Sequence, residues 1–249
     1  SEILRLYRSR ALSPVEYMRA IIARAEKLNP TLNAICTPTY DMALREAQRA
    51  EVLLRSPTDC PPIVGIPTTV KDLALTKNVR TMAGSHVFAT RIPEMDHLHV
   101  RRMKNAGLIS IGKTTTSEFG WSGVSRSPLT GGPHNPWQLG MTAGASSAVA
   151  PVCAASGIGP IHQGSDGAGS IRIPAAFCCV YGFKPSHGRV PYFPMPVNGL
   201  ISHVGPITRT VEDAALVLQS ISGPDNLDIT GDEFQKRRTG KHWRFHCAR

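Results

Sequence analysis

Residues 164–174 read GSDGAGSIRIP, with three glycines in the first six positions. This run is too glycine-rich for the interior of a strand and is typical of a tight turn before a helix. Small residues at 167–169 would let backbone N–H groups approach a substrate beside the hydroxyl of Ser170. A serine nucleophile also needs a group that accepts its proton, so the run predicts a catalytic turn only if a base lies near it in the fold.

Two other segments supply serines and a base. TAGASSAV is a second loop of small residues and carries the paired serines Ser146 and Ser147. TTVKDLA places Lys71 at the end of a predicted strand, among apolar neighbours. Desolvation lowers the pKa of a lysine in an apolar site, so such a lysine can lose its charge and act as a base. The alternative for Lys71 is a surface lysine paired with Asp72.

These segments resemble the amidase signature family, whose members use a Ser–cis-Ser–Lys triad. Lys71 and Ser146 are 75 positions apart, Ser146 and Ser170 are 24 apart, and both separations match the family. The resemblance covers residues 4–228 and includes LSPVEYMRAIIARAEKLNPTLNAI, GIPTTVKDL, GKTTTSEFGWSG, NPW and GFKPSHGRVP. It implies an α/β fold, in which a central mixed β-sheet is covered by helices on both faces, with only the N-terminal part of that fold present here.

The resemblance also assigns roles to residues of this chain. Ser170 resembles the nucleophile, Ser146 the bridging serine whose preceding peptide is cis, and Lys71 the base. The oxyanion and substrate-binding positions that it implies are Gly167, Ala168, Gly169 and Ser147, with the N–H of Ser170 as a further donor. Neither a metal nor an organic cofactor is implied. Asp166 and Arg172 flank the nucleophile and are predicted to be structural.

The chain departs from the family pattern in its second serine loop and in its length. The family reads GGSSGG where this chain has Ala148 and Val149 in place of the last two glycines, and a branched side chain there is expected to crowd the oxyanion turn. The family is also about twice as long, so we expect a C-terminally truncated member. Residues 1–228 are then the N-terminal portion of one domain, with a helical region at 1–60, and 229–249 form an atypical basic tail.

Charge and composition restrict the functional class. The 249 residues are 41% hydrophobic and 18% charged, which is typical of a folded globular protein. The net charge is +10, but the tail at 229–249 contributes +4 of it and the remaining charges are scattered. Nucleic-acid binding is therefore not favoured. The apolar run at 148–161 is too short to span a bilayer, so no membrane association is predicted.

The cysteines and histidines indicate neither a disulfide framework nor a metal site. The six cysteines show no C-x-x-C spacing and lie mostly in apolar settings, which predicts buried free thiols and a reducing, cytoplasmic location. His97 and His99 are two positions apart, and His242 and His246 are four apart. Neither pair has a third ligand beside it, so all four are predicted to be solvated surface histidines.

Local patterns predict several elements. Ser13 and Glu16 form a capping box at the start of an amphipathic helix, and Thr210 with Asp213 caps another. The predicted elements are helices at 14–28, 40–54, 98–106 and 210–221, and a strand at 108–114, followed by a long loop at 115–147. Helices alternating with strands indicate an α/β fold.

The resemblance implies hydrolysis of a small carboxylic amide through an acyl-enzyme at Ser170, with Ser146 and Lys71 relaying the proton. One alternative is the glutamine-hydrolysing component of a tRNA-dependent amidotransferase. Another is a non-catalytic remnant that keeps the fold, because the second serine loop is altered and the chain is short. A small-molecule amide is the expected partner, and a homodimer is left open.

Overall fold

The computed structural model describes residues 2–56, 60–196 and 199–228. The helices are α1 (Glu2–Arg8), α2 (Pro14–Leu32), α3 (Tyr40–Leu53), α4 (Leu98–Asn105), α5 (Val149–Ala155), α6 (Arg172–Phe177) and α7 (Val211–Ile221). The strands are β1 (Ile35–Pro38), β2 (Pro67–Lys71), β3 (Ile109–Thr114), β4 (Ile161–Asp166), β5 (Tyr181–Gly182) and β6 (His203–Thr208).

The strands of the described residues form one mixed sheet in the order β1-β3-β2-β4-β6-β5. Strand β2 lies parallel to both β3 and β4, and the other pairs are antiparallel. The parallel strands β2 and β4 therefore end at the same edge of the sheet. The last residue of β2 and the turn that follows β4 both lie at this edge.

Six of the described α-helices fall into two groups, each with its own large hydrophobic cluster. One cluster joins α2, α3 and α5 to β1 and β3, and includes Met18 and Ile111. The other joins α1, α4 and α7 to β2, β4 and β6, and includes Met103 and Ile161. Two separate clusters are what a sheet covered by helices on both faces requires, because each face must bury its own apolar side chains.

Helix α2 begins as predicted and ends later than predicted. The Ser13 hydroxyl accepts hydrogen bonds from the N–H groups of residues 15 and 16, and Glu16 accepts one from the Ser13 N–H at 2.9 Å. The predicted end at residue 28 is wrong, because α2 continues to Leu32 with Pro30 inside its last turn. Leu32 is buried in the first cluster, and this packing stabilises the additional turn. Asn33, in the left-handed conformation, then closes the helix.

The run 164–174 contains more strand than its composition suggests. Strand β4 continues through Gly164 to Asp166, so the prediction that this run is too glycine-rich for a strand interior is wrong for its first three residues. A Cβ at Gly164 would lie 2.7 Å from Ile207 Cδ1 and 3.0 Å from Ile171 Cγ1. A side chain there would require Ile207 and Ile171 to shift, so glycine fits this position without displacing its neighbours.

His97 and His99 are buried, so the prediction of surface positions is wrong for this pair. Their rings lie 5.1 and 5.2 Å from the ring of Tyr192, and His97 Nδ1 accepts a hydrogen bond from the Leu75 N–H. Burial lowers the pKa of both imidazoles, and the positive charge of Lys113 adds to the effect. His242 and His246 lie outside the described residues.

The five described cysteines are free thiols, but only some are buried. Cys153 and Cys178 are buried, Cys36 and Cys60 are partly covered, and Cys179 is exposed. The prediction of buried thiols is therefore wrong for Cys179, which lies in a turn after α6. Cys247 lies outside the described residues, as does the basic tail 229–249.

Candidate active site

Lys71 is the last residue of the buried strand β2, where β3 and β4 cover it from both sides. The residue is 1% exposed. Lys71 Nζ lies 2.7 Å from Ser146 Oγ and 3.1 Å from Ser165 Oγ. The Lys71 N–H donates to Gln163 Oε1 at 2.9 Å, which ties the end of β2 to β4. The strands thus hold the amine within hydrogen-bond distance of two hydroxyls.

Burial lowers the pKa of Lys71 from 10.5 to about 7, and the Asp166 carboxylate acts in the opposite direction. A lysine with a pKa near 7 is neutral in a large fraction of molecules at physiological pH. Its nitrogen lone pair can then accept a proton. The expectation that Lys71 lies in an apolar site and loses its charge readily is consistent with this environment.

The Lys71→Met variant tests this electrostatic cost of burial. Between pH 7 and 10.5 the unfolded chain keeps a proton on Lys71 that the folded chain has lost, so raising the pH through this window stabilises the wild type. We expect the free energy of unfolding of the wild type to rise relative to the variant by up to about 1.4 kcal/mol per pH unit. Urea unfolding of both proteins at several pH values between 7 and 10 measures the difference.

Lys113, whose pKa burial lowers to about 8, is present in both proteins and cancels from this comparison. A difference between wild type and variant that stays constant across the window would show that Lys71 keeps its ordinary pKa in the folded chain.

Asp72 does not pair with Lys71, which excludes the alternative of a surface lysine pair. The Asp72 carboxylate is buried and accepts hydrogen bonds from the N–H groups of Met82 and Gly84. Burial raises its pKa, and the positive charge of the buried Lys113 opposes that rise. Lys113 Nζ donates to the Ala74 carbonyl and, at 2.9 Å, to Thr76 Oγ1.

Ser146 lies on a loop whose backbone is held from two sides. The peptide between Ala145 and Ser146 is cis, as the resemblance implies. Thr116 Oγ1 donates to the Ser146 carbonyl at 2.9 Å. Gly144 has φ +81°, and a Cβ there would lie 2.9 Å from Pro174 Cα, so this loop and the start of α6 approach too closely for a side chain.

The altered residues of the second serine loop do not crowd the turn that carries Ser170. Ala148 and Val149 are fully buried in the first hydrophobic cluster, and α5 begins at Val149. Their side chains therefore fill core volume under the sheet. The expected crowding is wrong because the helix directs these side chains into the core. Pro151, the third residue of α5, lies in the first helical turn, where proline is tolerated.

Asp166 organises the turn that carries Ser170. Its buried carboxylate accepts hydrogen bonds from the N–H groups of Gly169 at 2.7 Å, Ile171 at 3.1 Å and Arg172 at 3.4 Å. The Arg172 guanidinium adds two more, both at 3.0 Å. Burial by itself would raise the pKa of Asp166, but these hydrogen bonds outweigh it and lower the pKa to about 2.

The turn leaves three backbone donors available to a ligand. Among the described residues, the N–H groups of Gly167, Ala168 and Ser170 have no hydrogen-bond acceptor. Gly169 was predicted to be a fourth oxyanion donor, but its N–H donates to Asp166. Its role is conformational, since it has φ +109° and a Cβ would lie 2.7 Å from Ile173 Cδ1.

Ser147 is buried and bonds to the protein backbone. Its hydroxyl donates to the Ser165 carbonyl at 2.9 Å and accepts from the Ser165 N–H at 3.1 Å, and its own N–H donates to the Ser170 carbonyl at 3.2 Å. The predicted substrate-binding role for Ser147 is not what this geometry favours. Ser147 instead joins the second serine loop to β4 and to Ser170.

The Ser170 hydroxyl has no hydrogen-bond partner among the described residues and faces a cavity of about 420 Å³. We call this the nucleophile cavity. Its lining includes Gly167 and Ala168 from the turn, Ala145 from the serine loop, and Gly120 and Trp121 from the loop after β3. None of the described residues that line it carries a charge, so the cavity suits a neutral group.

Known proteins share much of this sequence and fold. A family model described as Amidase matches residues 16–244. The chain belongs to the amidase family. The match extends past residue 228, the predicted end of the domain. Among curated amidase relatives, an acylamidase of Rhodococcus erythropolis is 40% identical over 221 residues, which are 88% of this chain and 46% of the relative.

Other relatives include both classes of protein that the sequence analysis considered, an amidotransferase subunit and an amide hydrolase. A glutamyl-tRNA(Gln) amidotransferase subunit from a Sulfurihydrogenibium strain is 35% identical over 92% of this chain and 47% of the relative. The structure of a bacterial aryl acylamidase of the amidase signature family superposes with a TM-score of 0.86 and 34% identity, covering 92% of this chain and 48% of that one. The chain thus spans about half the length of the curated amidase relatives it matches.

Sequence reasoning missed three polar residues of this candidate site. Ser165 bonds to Lys71, Gln163 fixes the end of β2, and Thr116 holds the Ser146 carbonyl. Ser165 lies inside GSDGAGSIRIP and Thr116 inside GKTTTSEFGWSG, so both belong to segments already singled out. Their roles depend on contacts across the sheet, which sequence spacing does not report.

Proposed function

We propose that this chain carries the proton relay and the nucleophile of an amidase that cleaves a small, neutral carboxylic amide to an acid and an amine or ammonia. The observation that supports this proposal most strongly is the 2.7 Å contact between buried Lys71 Nζ and Ser146 Oγ, on the serine that follows the cis peptide. A buried lysine with its pKa lowered to about 7 is suited to serve as a base.

The reaction starts with neutral Lys71. Ser170 Oγ attacks the amide carbonyl carbon, its proton passes to Ser146 Oγ, and the Ser146 proton passes to Lys71 Nζ. The carbonyl oxygen becomes an oxyanion that the free N–H groups of Gly167, Ala168 and Ser170 can stabilise. Lys71 then returns a proton through Ser146 to the amide nitrogen, the C–N bond breaks, and the amine leaves an ester on Ser170.

Water completes the cycle by the same relay. Water attacks the ester carbon while its proton passes through Ser146 to Lys71, and the proton returns to Ser170 Oγ as the acid leaves. Each proton removed is given back, so no metal or cofactor is needed for balance. The Ser170 hydroxyl makes no hydrogen bond to another described residue, so this relay requires it to donate to Ser146 when substrate is bound.

Trapping the acyl group tests this function. With excess hydroxylamine, an acyl-enzyme formed from acetamide partitions to acetohydroxamate, and the ratio of hydroxamate to acetate should equal that from an acetate ester, because both substrates share one intermediate. The Ser170→Ala variant should form neither product above background, and the exposed Ser186→Ala variant is the matched control. Equal product from wild type and Ser170→Ala would contradict the proposal, as would no product from either.

A second candidate function is supported by the amidotransferase relatives at about one-third identity. Glutamine carries an ammonium and a carboxylate, whereas the described lining of the nucleophile cavity carries no charge. Ammonia release from glutamine but not from acetamide would favour this candidate. A folded protein that releases ammonia from neither would favour the non-catalytic alternative.

The remaining expectations about cellular context belong to this proposal. The five described cysteines are free, which supports a reducing, cytoplasmic environment. Within the described ranges, no helix combines the length and apolar character needed to cross a membrane. Neither a nucleic-acid partner nor a metal is proposed, and size measurement in solution would decide whether the chain forms a homodimer.

A further inference from the structure

Strands β2 and β4 separate before they reach the candidate site. Their paired residues are Thr68 with Ile161 and Thr69 with His162, so the register stops two residues before Lys71. Strand β3, on the other side, stays paired with β2 as far as Lys71 itself. The buried N–H groups at the end of β2 that face β4 therefore need an acceptor other than the backbone of β4.

The second serine loop bonds to β4 where the two strands have separated. The Ser147 hydroxyl donates to the Ser165 carbonyl at 2.9 Å and accepts from the Ser165 N–H at 3.1 Å, so it satisfies backbone groups that a neighbouring strand would otherwise pair. The loop thereby holds Ser146 beside β2, with its Oγ 2.7 Å from Lys71 Nζ. The separation of the strands makes room for Ser146 at the amine.

Gln163 spans the gap between the strands with its side chain. Its Oε1 accepts a hydrogen bond from the Lys71 N–H at 2.9 Å, and its Nε2 donates to the Gly164 carbonyl at 3.0 Å. The residue is 3% exposed. Because the Lys71 N–H can only donate and the Gly164 carbonyl can only accept, the two bonds fix which end of the amide faces β2. The side-chain amide supplies the bond to β2 that the backbone of β4 does not provide.

Gln163 and Ser165 contact opposite ends of Lys71. Successive side chains of a strand alternate between its faces, so these two residues lie on the same face of β4. Gln163 bonds to the main chain of Lys71, and Ser165 Oγ lies 3.1 Å from its Nζ. A change at Gln163 can therefore move the amine relative to Ser146 without altering either serine.

We propose that Gln163 is a positioning residue for the base, and that its neutral amide is required for Lys71 both to reach Ser146 and to give up its proton. The inference rests on the proposed function, in which neutral Lys71 accepts the proton of Ser146. A carboxylate of the same length would accept the same hydrogen bond but would hold the proton on Lys71. A methionine of similar length would remove the hydrogen bonds and add no charge.

The charges already near Lys71 leave it able to lose its proton. The other titratable side chains on β2, β3 and β4 are Lys113, His162 and Asp166, Asp72 follows Lys71 directly, and the second serine loop at 142–149 carries none. His162 is uncharged near neutral pH, because burial lowers its pKa to about 3. Asp166 raises the pKa of Lys71, and burial outweighs it. A second carboxylate beside Lys71 would add to the effect of Asp166.

Two substitutions at Gln163 should have opposite effects. Gln163→Glu keeps the bond to Lys71 and adds a negative charge, so the pH at which kcat/KM for acetamide rises should increase by about one unit or more. Its activity should recover toward the wild-type plateau at higher pH. Gln163→Met loses the bond without adding charge, so this midpoint should stay, while kcat on the plateau should fall by about tenfold or more with KM unchanged. A merely structural role would lower stability and activity in both variants and would not separate the two effects.

Asn29→Asp is the matched control. The Asn29 side chain also accepts from backbone N–H groups, those of Ala34 and Ile35, and donates to a backbone carbonyl, that of Ile35. The change to aspartate adds the same charge and removes the same kind of donor, but it does so at β1, which β3 separates from β2. The midpoint should remain as in the wild type. An equal increase in Asn29→Asp would overturn the inference, because it would show an effect of net charge and not of position.

The ionisation of Lys71 can also be followed without turnover. In protein labelled with ¹³C at lysine Cε, the signal that is absent from Lys71→Met belongs to Lys71, and its chemical shift reports the loss of the proton. The midpoint should be higher in Gln163→Glu than in the wild type and in Asn29→Asp.

The two readouts separate this inference from the proposed function. A higher Lys71 midpoint in Gln163→Glu, with no acetamide hydrolysis by the wild type, would overturn the proposed function and keep the action of Gln163 on Lys71. An active wild type with an unchanged midpoint in Gln163→Glu, or with full kcat in folded Gln163→Met, would overturn the inference and leave the proposed function standing. If Gln163→Glu does not fold, the kcat of Gln163→Met decides alone.

Discussion

The Lys71→Met variant is expected to lose about 10⁴-fold in kcat/KM for amide hydrolysis while remaining folded. General-base catalysis contributes about 10² to 10⁴, and members of one relay fail together, so the loss should lie at or above the upper limit. Methionine has a similar length and no charge to desolvate, so the core around the ends of β2 and β4 stays filled. Steady-state release of acetate from acetamide measures the loss, and thermal unfolding reports the fold.

The pH profile shows how Lys71 acts. In the proposed function the neutral Lys71 amine is the base, and burial lowers its pKa to about 7, so wild-type kcat/KM should rise as the pH increases through 7 and level off above it. Lys71→Arg is the informative companion, since a guanidinium keeps the positive charge but does not release its proton in this range. Lys71→Arg activity above one-tenth of wild type would show that the residue contributes charge and not basicity.

Asp166→Ala is expected to give the second largest effect, on both stability and activity. The substitution removes the acceptor for the N–H groups of Gly169, Ile171 and Arg172. Buried donors left unpaired cost about 1 to 3 kcal/mol each, so the free energy of unfolding should fall by about 3 kcal/mol or more. With the turn no longer fixed, the oxyanion donors lose their alignment, and kcat should fall by about 10² to 10³.

Acid titration separates the contribution of the ionised Asp166 carboxylate to stability from the contribution of packing. Its pKa is lowered from 3.8 to about 2, so its contribution to stability is complete above pH 4 and is lost as the pH falls toward 2. Urea unfolding between pH 2 and 5 should show this loss in the wild type and its reduction in Asp166→Asn. Arg172→Ala is the graded control, because its half-exposed side chain leaves the three backbone hydrogen bonds in place. Equal losses in Arg172→Ala and Asp166→Ala would contradict the primary role of the backbone hydrogen bonds.

Local features of the sequence predicted the parts of the fold that depend on neighbours along the chain. The capping box of Ser13 and Glu16 marks the start of α2, and Thr210 caps α7 through the N–H of Asp213. These signals work because a cap bonds to backbone groups two or three residues away. The same reasoning placed Lys71 at the end of a strand.

Predictions failed where distant residues decide the outcome. Gly164 is part of a strand because β4 pairs with β6, where Gly164 lies opposite Gly205, and this pairing cannot be read from its immediate neighbours. His97 and His99 are buried because Tyr192, almost one hundred residues later, packs against both rings. In each case the tertiary neighbours override the local preference of the residue type.

Some features of the candidate site could likewise be predicted from the sequence, and others could not. The resemblance named Lys71 and Ser146, and the contact at 2.7 Å between their side chains could be expected once the family was recognised. The commitment of the Gly169 N–H to Asp166 and the backbone bonds of Ser147 could not, because both depend on where a hydrogen points in the folded turn.

The parallel pairing of β2 with β4 restricts substitutions near Lys71 more strongly than substitutions in the surrounding loops. The register of these two strands sets how far Lys71 lies from the Ser170 turn, and a slip of one residue would reverse which face the lysine side chain occupies. The wall of the nucleophile cavity comes largely from connecting loops, which tolerate substitution far better than a buried strand pair. Loop mutations can therefore reshape the cavity while the strand pair still holds Lys71 beside Ser146.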